Sequence, residues 1–315
     1  MLKVSIIGVG KMGRNHLRVY SEISEVKITS IVEISKELIN LPYEDIKCFA
    51  DYKEMIKERK PDLVSICVPT SFHYEVAKYC LKNNINVLLE KPICLDVKEA
   101  KELLRIAEEF NVKFLVGHIE RFNPALLKVK EMIKNNELGQ IIALMSRRVG
   151  GFPPQIQDVN VAVDLAIHDI DIANFILNDY PQEILVKKKR SLIEKREDSV
   201  EFFLKYKNAS SYIQANWVTP VKIRKLCITG TAGYLELDYI QQEIEFYKSN
   251  YQKFKEDINS FSDYVVNFSE PDKTLISLAK KEPLKEEVQY FINCINNNIK
   301  VDSNFALDAL KIALT

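Results

Sequence analysis

Several signals are missing from this chain, and each absence excludes a class of protein. Its 44 basic and 44 acidic residues balance and form no basic stripe, so we predict no binding of nucleic acid. No apolar run approaches the roughly 18 residues that a membrane-spanning helix requires. The first apolar run is short and leads directly into a glycine turn, so no signal peptide is expected. Together these absences predict a soluble, cytoplasmic protein with no membrane partner.

Cysteine pairs are also missing. The six cysteines are scattered along the chain, with no C-x-x-C pair and no framework spacing. Several of them lie in apolar runs, as Cys67 does. We therefore predict reduced thiols in the core, as is usual in the cytoplasm, and no metal site.

The length of 315 residues is typical of two domains. In the first half, apolar runs alternate with helical patterns, which predicts right-handed crossovers and a doubly wound parallel sheet. The predicted strands are 2–7, 26–32, 62–68, 85–89 and 113–116, and the predicted helices are 11–20, 52–58, 74–82 and 97–110.

After about residue 120 the pattern changes to that of a large antiparallel sheet. In the predicted strand 199–205 and just beyond it, Val200, Phe202, Leu204 and Tyr206 share one face, which is typical of a sheet with one buried face. The other strands are predicted at 141–149, 183–188, 211–217, 224–228, 234–238 and 243–247, and helices at 124–135, 164–177, 284–297 and 305–314. Residues 249–282 are polar and weakly patterned, and they give no prediction.

Glycine is scarce, with only nine residues, yet three of them lie together at Gly8, Gly10 and Gly13. They form a G-x-G-x-x-G sequence, with Lys11 and Met12, where the first strand ends and a helix begins. Gly8 permits the tight turn, Gly10 lets the backbone approach a pyrophosphate, and Gly13 lets helix and strand pack closely. The helix N-terminus then offers free N–H groups to the phosphates. We therefore predict a dinucleotide-binding domain, the alternative being a glycine turn that binds no dinucleotide.

Glu33 follows the second strand, about 20 positions after the last glycine of the turn. A carboxylate there accepts hydrogen bonds from the adenosine ribose hydroxyls and repels a 2′-phosphate. The next residue is Ile34, not an arginine that could hold such a phosphate. The sequence therefore predicts NAD rather than NADP as the cofactor.

Two further sets of polar residues suggest acid/base chemistry. Lys91 follows the buried run 87–90 at a strand end, the edge where ligands bind in open α/β sheets. Asp164 and His168 lie four residues apart, on one face of a predicted helix, where they can orient each other and accept a proton from an alcohol. Taken alone, a strand-capping lysine and a surface Asp/His pair are the simpler interpretations.

These elements occur in the order found in the Gfo/Idh/MocA oxidoreductase family, which the whole chain resembles. The resemblance rests on the glycine turn, on Val68-Pro69-Thr70 with His73, on Glu90-Lys91-Pro92 and on the Asp164/His168 helix. It implies an N-terminal Rossmann domain, 1–120, and a C-terminal α+β domain, 121–315, with a large open, mostly antiparallel sheet. Whether the C-terminal helix packs back on the first domain is left open.

The resemblance also implies site residues. Lys91 and His168 are the acid/base candidates, with Asp164 positioning the substrate and the lysine. The cofactor residues are expected to be Gly8, Gly10, Lys11, Met12, Gly13, Glu33, Pro69, Thr70, His73, Glu90 and Lys91. Ala166 is a departure, because relatives often have glycine at this position.

Two stretches, 117–124 and 147–154, resemble those of nucleotide-sugar 3-dehydrogenases that act on UDP-N-acetylglucosamine. The resemblance adds Arg121, Asn123 and Arg148 to Lys91, Asp164 and His168 as substrate-binding residues. Arginine suits a diphosphate because its guanidinium bonds phosphate in a bidentate fork. Ion pairs within the protein are the equal alternative for Arg121 and Arg148.

We therefore expect NAD-dependent oxidation of a sugar hydroxyl, and the leading hypothesis is the 3-hydroxyl of a UDP-N-acetylhexosamine. An aminotransferase is the candidate downstream partner. The alternatives are an inositol or free-sugar dehydrogenase and a non-catalytic NAD- or sugar-binding regulator. An open sheet face with aromatics such as Phe202, Tyr212 and Trp217 predicts association into a dimer or tetramer.

Overall fold

The alternation of apolar runs and helical patterns in the first half builds a six-stranded parallel sheet. The computed structural model describes residues 1–35, 46–153, 158–249 and 271–315. The strands of this sheet are β1 Leu2–Ile7, β2 Val26–Val32, β3 Lys47–Phe49, β4 Leu63–Ile66, β5 Asn86–Glu90 and β6 Phe114–Gly117, in the order β3-β2-β1-β4-β5-β6. This order is that of a dinucleotide-binding sheet. Such a sheet has a crevice at the point where the strand order reverses, here between β1 and β4.

Both faces of this sheet are buried. The helices that follow its strands are α1 Lys11–Ser21, α2 Tyr52–Arg59, α3 His73–Lys82 and α4 Val97–Glu109. Strand residues alternate between two apolar clusters, so that Ile7, Ile66 and Leu89 lie on one face, and Ile6 and Leu88 on the other. The fully buried strands explain why the sequence shows continuous apolar runs here rather than alternation.

Two helices near the end of the chain complete the cover of this sheet. Helix α7 Pro283–Asn296 places its apolar residues, among them Val288 and Phe291, in the cluster with Ile6. Helix α8 Asn304–Ala313 places Leu307 and Leu310 in the opposite cluster with Ile7. The two helices therefore cover opposite faces of one sheet.

The second half forms an eight-stranded mixed sheet, with helix α5 Pro124–Lys134 before it and α6 Ile167–Leu177 after its first strand. Its strands are β7 Ile141–Val149, β8 Glu183–Lys189, β9 Ser199–Lys205, β10 Ser210–Asn216, β11 Ile223–Gly230, β12 Gly233–Asp238, β13 Glu243–Lys248 and β14 Asp272–Ser277. The order is β14-β13-β12-β11-β7-β10-β9-β8, antiparallel except for β7 beside β10. The predicted fold class, a doubly wound domain followed by an open antiparallel sheet, is confirmed.

By packing, the chain divides into two units that interleave along the sequence. One unit comprises 1–122, 153–171 and 281–315, and the other comprises 123–152 and 172–280. The two packing units therefore do not correspond to a single boundary at residue 120. The segment that gave no prediction, 249–282, contributes strand β14, and most of the remainder lies outside the described residues.

Among the described residues, one face of the second sheet has no covering layer and is called the bare face below. Its exposed side chains include Met145 and Phe203, which are 52% and 44% exposed. In register across the sheet, a row runs through Leu185, Phe203, Tyr212, Met145, Cys227, Glu236, Glu245 and Leu275.

The expectation that Phe202 and Trp217 lie on the bare face is wrong, because both are buried within the single chain. Successive residues of a strand point to opposite faces. Phe202 therefore shares the covered face with Val200 and Leu204, whereas its neighbour Phe203 faces outward.

Candidate active site

The glycine turn between β1 and α1 has the shape that a pyrophosphate requires. Gly8 has φ +88°, and a Cβ there would lie 2.8 Å from the Cys67 carbonyl oxygen. A Cβ on Gly13 would lie 1.9 Å from the Gly8 carbonyl oxygen, so helix and turn touch at this point. A Cβ on Gly10 would meet nothing within 4 Å. The backbone at the start of α1 therefore faces open space and can receive a phosphate.

Glu33 is fixed beside this turn. Its carboxylate accepts a hydrogen bond from the Val9 N–H at 3.0 Å and another from the Ser35 N–H at 3.0 Å. The residue directly follows β2, so its side chain lies at the carboxyl edge of the sheet. The side chain of Ile34 points into solvent. The turn and the carboxylate together fit the adenosine half of a dinucleotide.

Lys91 directly follows β5, two strands along the sheet from the glycine turn. Its Nζ donates hydrogen bonds to Asp164, at 2.9 Å to Oδ1 and at 2.7 Å to the backbone oxygen. The lysine side chain is 18% exposed and that of Asp164 is 8% exposed. An ammonium group held by a carboxylate and a carbonyl has a fixed position, as proton transfer to or from a substrate requires.

Asp164 lies in a π-helical turn, Ala162–Ala166, that leads directly into α6. Such a turn carries an extra residue compared with an α-helix and often occurs at functional sites. Ala166, where relatives often have glycine, ends this turn and is fully buried. Asp164 and His168 therefore lie in one continuous helical segment, although its first turn is not the α-helix that the sequence predicted.

His168 lies next to a second set of buried polar groups. Its ring meets the ring of His118 edge-on, with centroids 6.3 Å apart. His118 Nδ1 is 3.3 Å from Oδ2 of Asp171. Arg121 donates to both oxygens of the same carboxylate, at 2.7 and 2.6 Å, and its guanidinium stacks on Phe305.

Arg121 is therefore engaged in an ion pair within the protein, which was one of the two interpretations open for it. Burial opposes ionisation of Asp171, but the neighbouring His118 and Arg121 hold the pKa of its carboxyl below the usual range. The Asp171 side chain is almost completely buried. It stays charged because a guanidinium bonds both of its oxygens.

The remaining predicted cofactor residues lie at the ends of β4 and β5. Pro69 and Thr70 begin the short 3₁₀ turn Thr70–Phe72. His73 is buried, with Nδ1 2.7 Å from the Pro92 oxygen and Nε2 3.0 Å from the Val68 oxygen. Burial lowers the pKa of its imidazole. His73 thus joins the turn after β4 to the turn after β5, and its contact with a cofactor stays a prediction.

A buried network that the sequence did not reveal supports Glu90. His16 on α1 holds the Glu90 carboxylate through Nε2 at 2.9 Å, and its Nδ1 is 3.2 Å from the Ser65 hydroxyl. Tyr20 bonds the same hydroxyl at 2.8 Å. Burial opposes ionisation, but the hydrogen bond and charge of His16 hold the pKa of Glu90 below its usual range. The nearby Glu287 on α7 is fully buried.

Asn123 and Arg148, the other predicted substrate residues, belong to the second unit. Asn123 caps α5, accepting the Ala125 N–H at 3.1 Å, and donates to the Tyr239 oxygen at 3.2 Å. Arg148 is buried, with its guanidinium 5.2 Å from the centre of the Tyr239 ring. The structure therefore brings Lys91, Asp164, His168 and Arg121 together in one unit, and places Asn123 and Arg148 in the other.

Comparison with known proteins agrees with this geometry. The family model for the NAD-binding Rossmann fold of the Gfo/Idh/MocA oxidoreductases matches residues 2–118. The model for the C-terminal domain of the same family matches residues 126–236. The chain belongs to the Gfo/Idh/MocA oxidoreductase family. The family resemblance of the sequence is therefore confirmed, and so is a Rossmann domain of the NAD-binding class.

Among its relatives, the UDP-N-acetylglucosamine 3-dehydrogenase of Acidithiobacillus ferrooxidans is 24% identical over 93% of this chain and 88% of that protein. The inositol 2-dehydrogenase of Mycolicibacterium smegmatis is 29% identical, but the alignment covers 56% of this chain and 53% of that enzyme. The chain thus matches about half the length of this inositol dehydrogenase.

Solved structures share the fold over the whole chain. The Acidithiobacillus ferrooxidans UDP-N-acetylglucosamine 3-dehydrogenase superposes with a TM-score of 0.82, at 24% identity, over 99% of this chain and 95% of the other. The scyllo-inositol dehydrogenase of Lactobacillus casei, solved with NAD(H) and scyllo-inositol, gives 0.80 at 18% identity, over 100% and 95%. Both substrate classes therefore occur on this one fold.

Two features are absent from the described residues. No helix in the described ranges is both long and apolar enough to cross a membrane. No group of three or more His, Cys, Asp or Glu residues within those ranges is arranged to hold a metal ion.

Proposed function

We propose that this oxidoreductase uses NAD to oxidise a secondary hydroxyl of a sugar, most specifically the 3-hydroxyl of UDP-N-acetylglucosamine or a related UDP-sugar, to a ketone. The observation that carries the proposal is the Lys91–Asp164 contact at the end of β5, on the same edge of the sheet as the glycine turn. When bound, NAD supplies the hydride acceptor. Lys91 as a neutral amine, or His168 as a neutral imidazole, would accept the hydroxyl proton, while Asp164 holds the lysine in place.

The choice of a nucleotide sugar rests on the full-length similarity to the Acidithiobacillus ferrooxidans enzyme and on the stretches 117–124 and 147–154. A non-catalytic regulator is the weaker proposal, since it would not need Lys91, Asp164 and His168 together. A 3-keto sugar is a suitable substrate for an aminotransferase, which is the proposed downstream partner.

An inositol or free-sugar dehydrogenase is the second candidate. One observation favours it: the Arg121 guanidinium bonds both oxygens of Asp171. In the nucleotide-sugar proposal, the same guanidinium would bind the diphosphate. Such an enzyme has no diphosphate to bind, and an internally paired arginine would then be expected.

Formation of NADH with UDP-N-acetylglucosamine, N-acetylglucosamine and myo-inositol in parallel tests these alternatives. We expect the nucleotide sugar to have a kcat/KM at least about tenfold above the others, since about 1.4 kcal/mol of diphosphate binding gives that ratio. Turnover of inositol without turnover of the nucleotide sugar would overturn the substrate assignment. No reduction of NAD with any sugar or cyclitol would favour the regulator.

We propose NAD rather than NADP because the Glu33 carboxylate, fixed by two N–H groups, repels a 2′-phosphate. Replacing Glu33 by Ala should raise kcat/KM for NADP relative to NAD by about tenfold, equivalent to roughly 1.4 kcal/mol. Glu54→Ala, an exposed glutamate on α2, is the control. A wild-type enzyme that uses NADP as well as NAD contradicts the assignment.

We also propose that the bare face of the second sheet pairs with a second copy of the chain, giving a dimer or a tetramer. An exposed row of apolar side chains in register across several strands is typical of an association surface.

A further inference from the structure

Glu287 is a buried carboxyl that the proposed reaction does not use. It lies on α7 among residues that are otherwise apolar, between Leu284 and Phe291 on the buried face of the helix. Its side chain is 0% exposed. Among the described residues, neither of its oxygens has a hydrogen-bond partner.

Glu287 lies close to the strand end that carries Lys91. Gly117, the last residue of β6, is paired in the sheet with Glu90, the last residue of β5. A Cβ on Gly117 would lie 3.5 Å from the Glu90 Cα and 3.6 Å from Oε2 of Glu287. The Glu287 carboxyl thus lies next to Gly117, on the strand that pairs with the end of β5.

Two buried carboxyls that repel each other cannot both be charged without a large free-energy cost, and the one with the better partners keeps its charge. Glu90 accepts a hydrogen bond from His16, and Lys91 follows it in the chain. Glu287 has no such bond to a cation within the described part of the chain. Burial, reinforced by the neighbouring Glu90, raises the pKa of Glu287 well above its usual range.

The other titratable groups near Glu287 would not stabilise a negative charge on its carboxyl. Tyr20 on α1 and Cys67 after β4 lie near it, and burial raises the pKa of both, so they are neutral at neutral pH. The 3₁₀ turn Ile119–Phe122, which packs against α7, carries Glu120 and Arg121. That arginine bonds Asp171.

We propose that Glu287 is a positioning residue that keeps its proton at neutral pH and, as a neutral carboxylic acid packed beside Gly117, supports the neighbouring strand end that presents Lys91. The Glu90 carboxylate then bears the single negative charge of the pair and orients His16. The positioning part rests on the proposed dehydrogenase reaction, whereas the retained proton does not.

The retained proton is tested by unfolding the full chain in urea between about pH 5 and pH 8, as wild type and as Glu287→Gln. The unfolded chain releases the Glu287 proton above its ordinary carboxyl pKa, of about 4.3, whereas the folded chain keeps it. The unfolding equilibrium constant of wild type relative to the Gln variant should therefore rise about tenfold for each pH unit. Near and below about pH 4 the ratio of the two unfolding constants should no longer depend on pH. Parallel curves would overturn the proposal.

Infrared spectroscopy supplies a second readout that needs neither substrate nor turnover. The carbonyl stretch of a protonated carboxyl should be present in wild type at pH 7 and absent from Glu287→Gln. Glu286→Gln is the matched control, because Glu286 is on the same helix but is partly exposed and paired with Lys281. It should leave the band and the pH dependence unchanged. A band that persists in Glu287→Gln would also overturn the proposal.

The positioning role is tested on turnover with Glu287→Leu and Glu287→Gln. The Leu variant removes the carboxyl and should lower kcat about tenfold, since misplaced groups lose that much or more, with a smaller change in KM. The Gln variant, which has the shape of the neutral acid, should restore most of the loss. Equal turnover in Leu and wild type would overturn the role. A wild type without dehydrogenase activity would refute the proposed function but leave the proton test intact.

Discussion

The two sheets of this protein differ in what covers them. The six-stranded parallel sheet is buried on both faces, with Ile6 and Ile7 in separate apolar clusters and helices on either side. The eight-stranded sheet exposes one face, on which Met145 and Phe203 are about half exposed. A sheet that is covered on both faces can place functional side chains in reach of a ligand only at its strand ends. An uncovered face instead offers a surface on which another chain can pack.

The predicted site residues are also divided between the two sheets. Glu33 and Lys91 each directly follow a strand of the covered sheet, where ligands bind in such folds. Asn123 and Arg148, in the unit that holds the open sheet, make contacts within that unit. We therefore expect substitutions at strand ends of the first sheet to affect chemistry and those in the second unit to affect association or stability.

Lys91→Ala should give the largest effect. Loss of a positioned acid or base lowers kcat by about 10²–10⁴-fold, while binding of NAD should change little. Steady-state kinetics and fluorescence titration with NADH measure the two quantities separately. The exposed Lys98→Ala on α4 is the control. A near-normal rate in Lys91→Ala would remove the lysine from the mechanism.

Arg121→Ala should be the most destabilising of these changes. It leaves the buried Asp171 carboxylate without its bidentate partner, at a cost of about 3–5 kcal/mol in the free energy of unfolding measured in urea. The pKa of Asp171 is lowered in the folded protein, so its stabilisation is present above the unfolded value of about 3.9 and is lost as the pH falls further.

In Arg121→Ala the loss of stability between pH 7 and pH 3 should therefore be smaller than in wild type. Arg18→Ala, which breaks exposed pairs with Glu22 and Glu282, should cost far less at pH 7. If Arg121→Ala retained full stability but raised KM for the nucleotide sugar, the arginine would be a substrate residue instead.

The bare sheet face can be disrupted without touching the first sheet. The double variant Met145→Glu and Phe203→Glu should weaken self-association at least about tenfold, because it places like charges in an apolar contact. Analytical ultracentrifugation checks this, with Lys53→Glu on the exposed side of α2 as control. An unchanged sedimentation profile would show that the chain associates elsewhere or not at all.

Asn123→Ala should have the smallest effect. Loss of the cap of α5 costs about 1 kcal/mol in the free energy of unfolding. Asn123→Asp keeps the capping oxygen but replaces the donor to the Tyr239 oxygen with a buried carboxylate oxygen, so it should not recover this loss. KM for the sugar substrate should stay within about twofold of wild type, less than 0.5 kcal/mol. A larger rise in KM would return Asn123 to the substrate site.

Most elements of the fold could be predicted because their patterns are long and regular. Strand β3, Lys47–Phe49, could not, because three residues with one buried side chain carry no periodicity. The π-helical turn was missed for a related reason, since a single extra residue hardly changes an apolar pattern around Asp164. Sequence periodicity thus indicates the type of an element better than its local irregularities.

Within the candidate site, Lys91 and Asp164 were predicted and are in contact. The support behind them was not predicted, because His16, Ser65 and Glu287 are far apart in sequence. One signal was available, however. A glutamate on the apolar face of a helix, between Leu284 and Phe291, conflicts with the pattern around it. Such conflicts tend to occur at functional sites.

The cover of the first sheet has a consequence for how the protein is made. Phe291 of α7 and Leu310 of α8 fill the two clusters that bury β1, although β1 is the first strand to be synthesised. A ribosome-bound chain must therefore keep the apolar surfaces of that sheet partly exposed until residues beyond 310 have emerged. A fragment ending at residue 120 should be aggregation-prone, and the NAD-binding fold should be completed only after the rest of the chain has been synthesised.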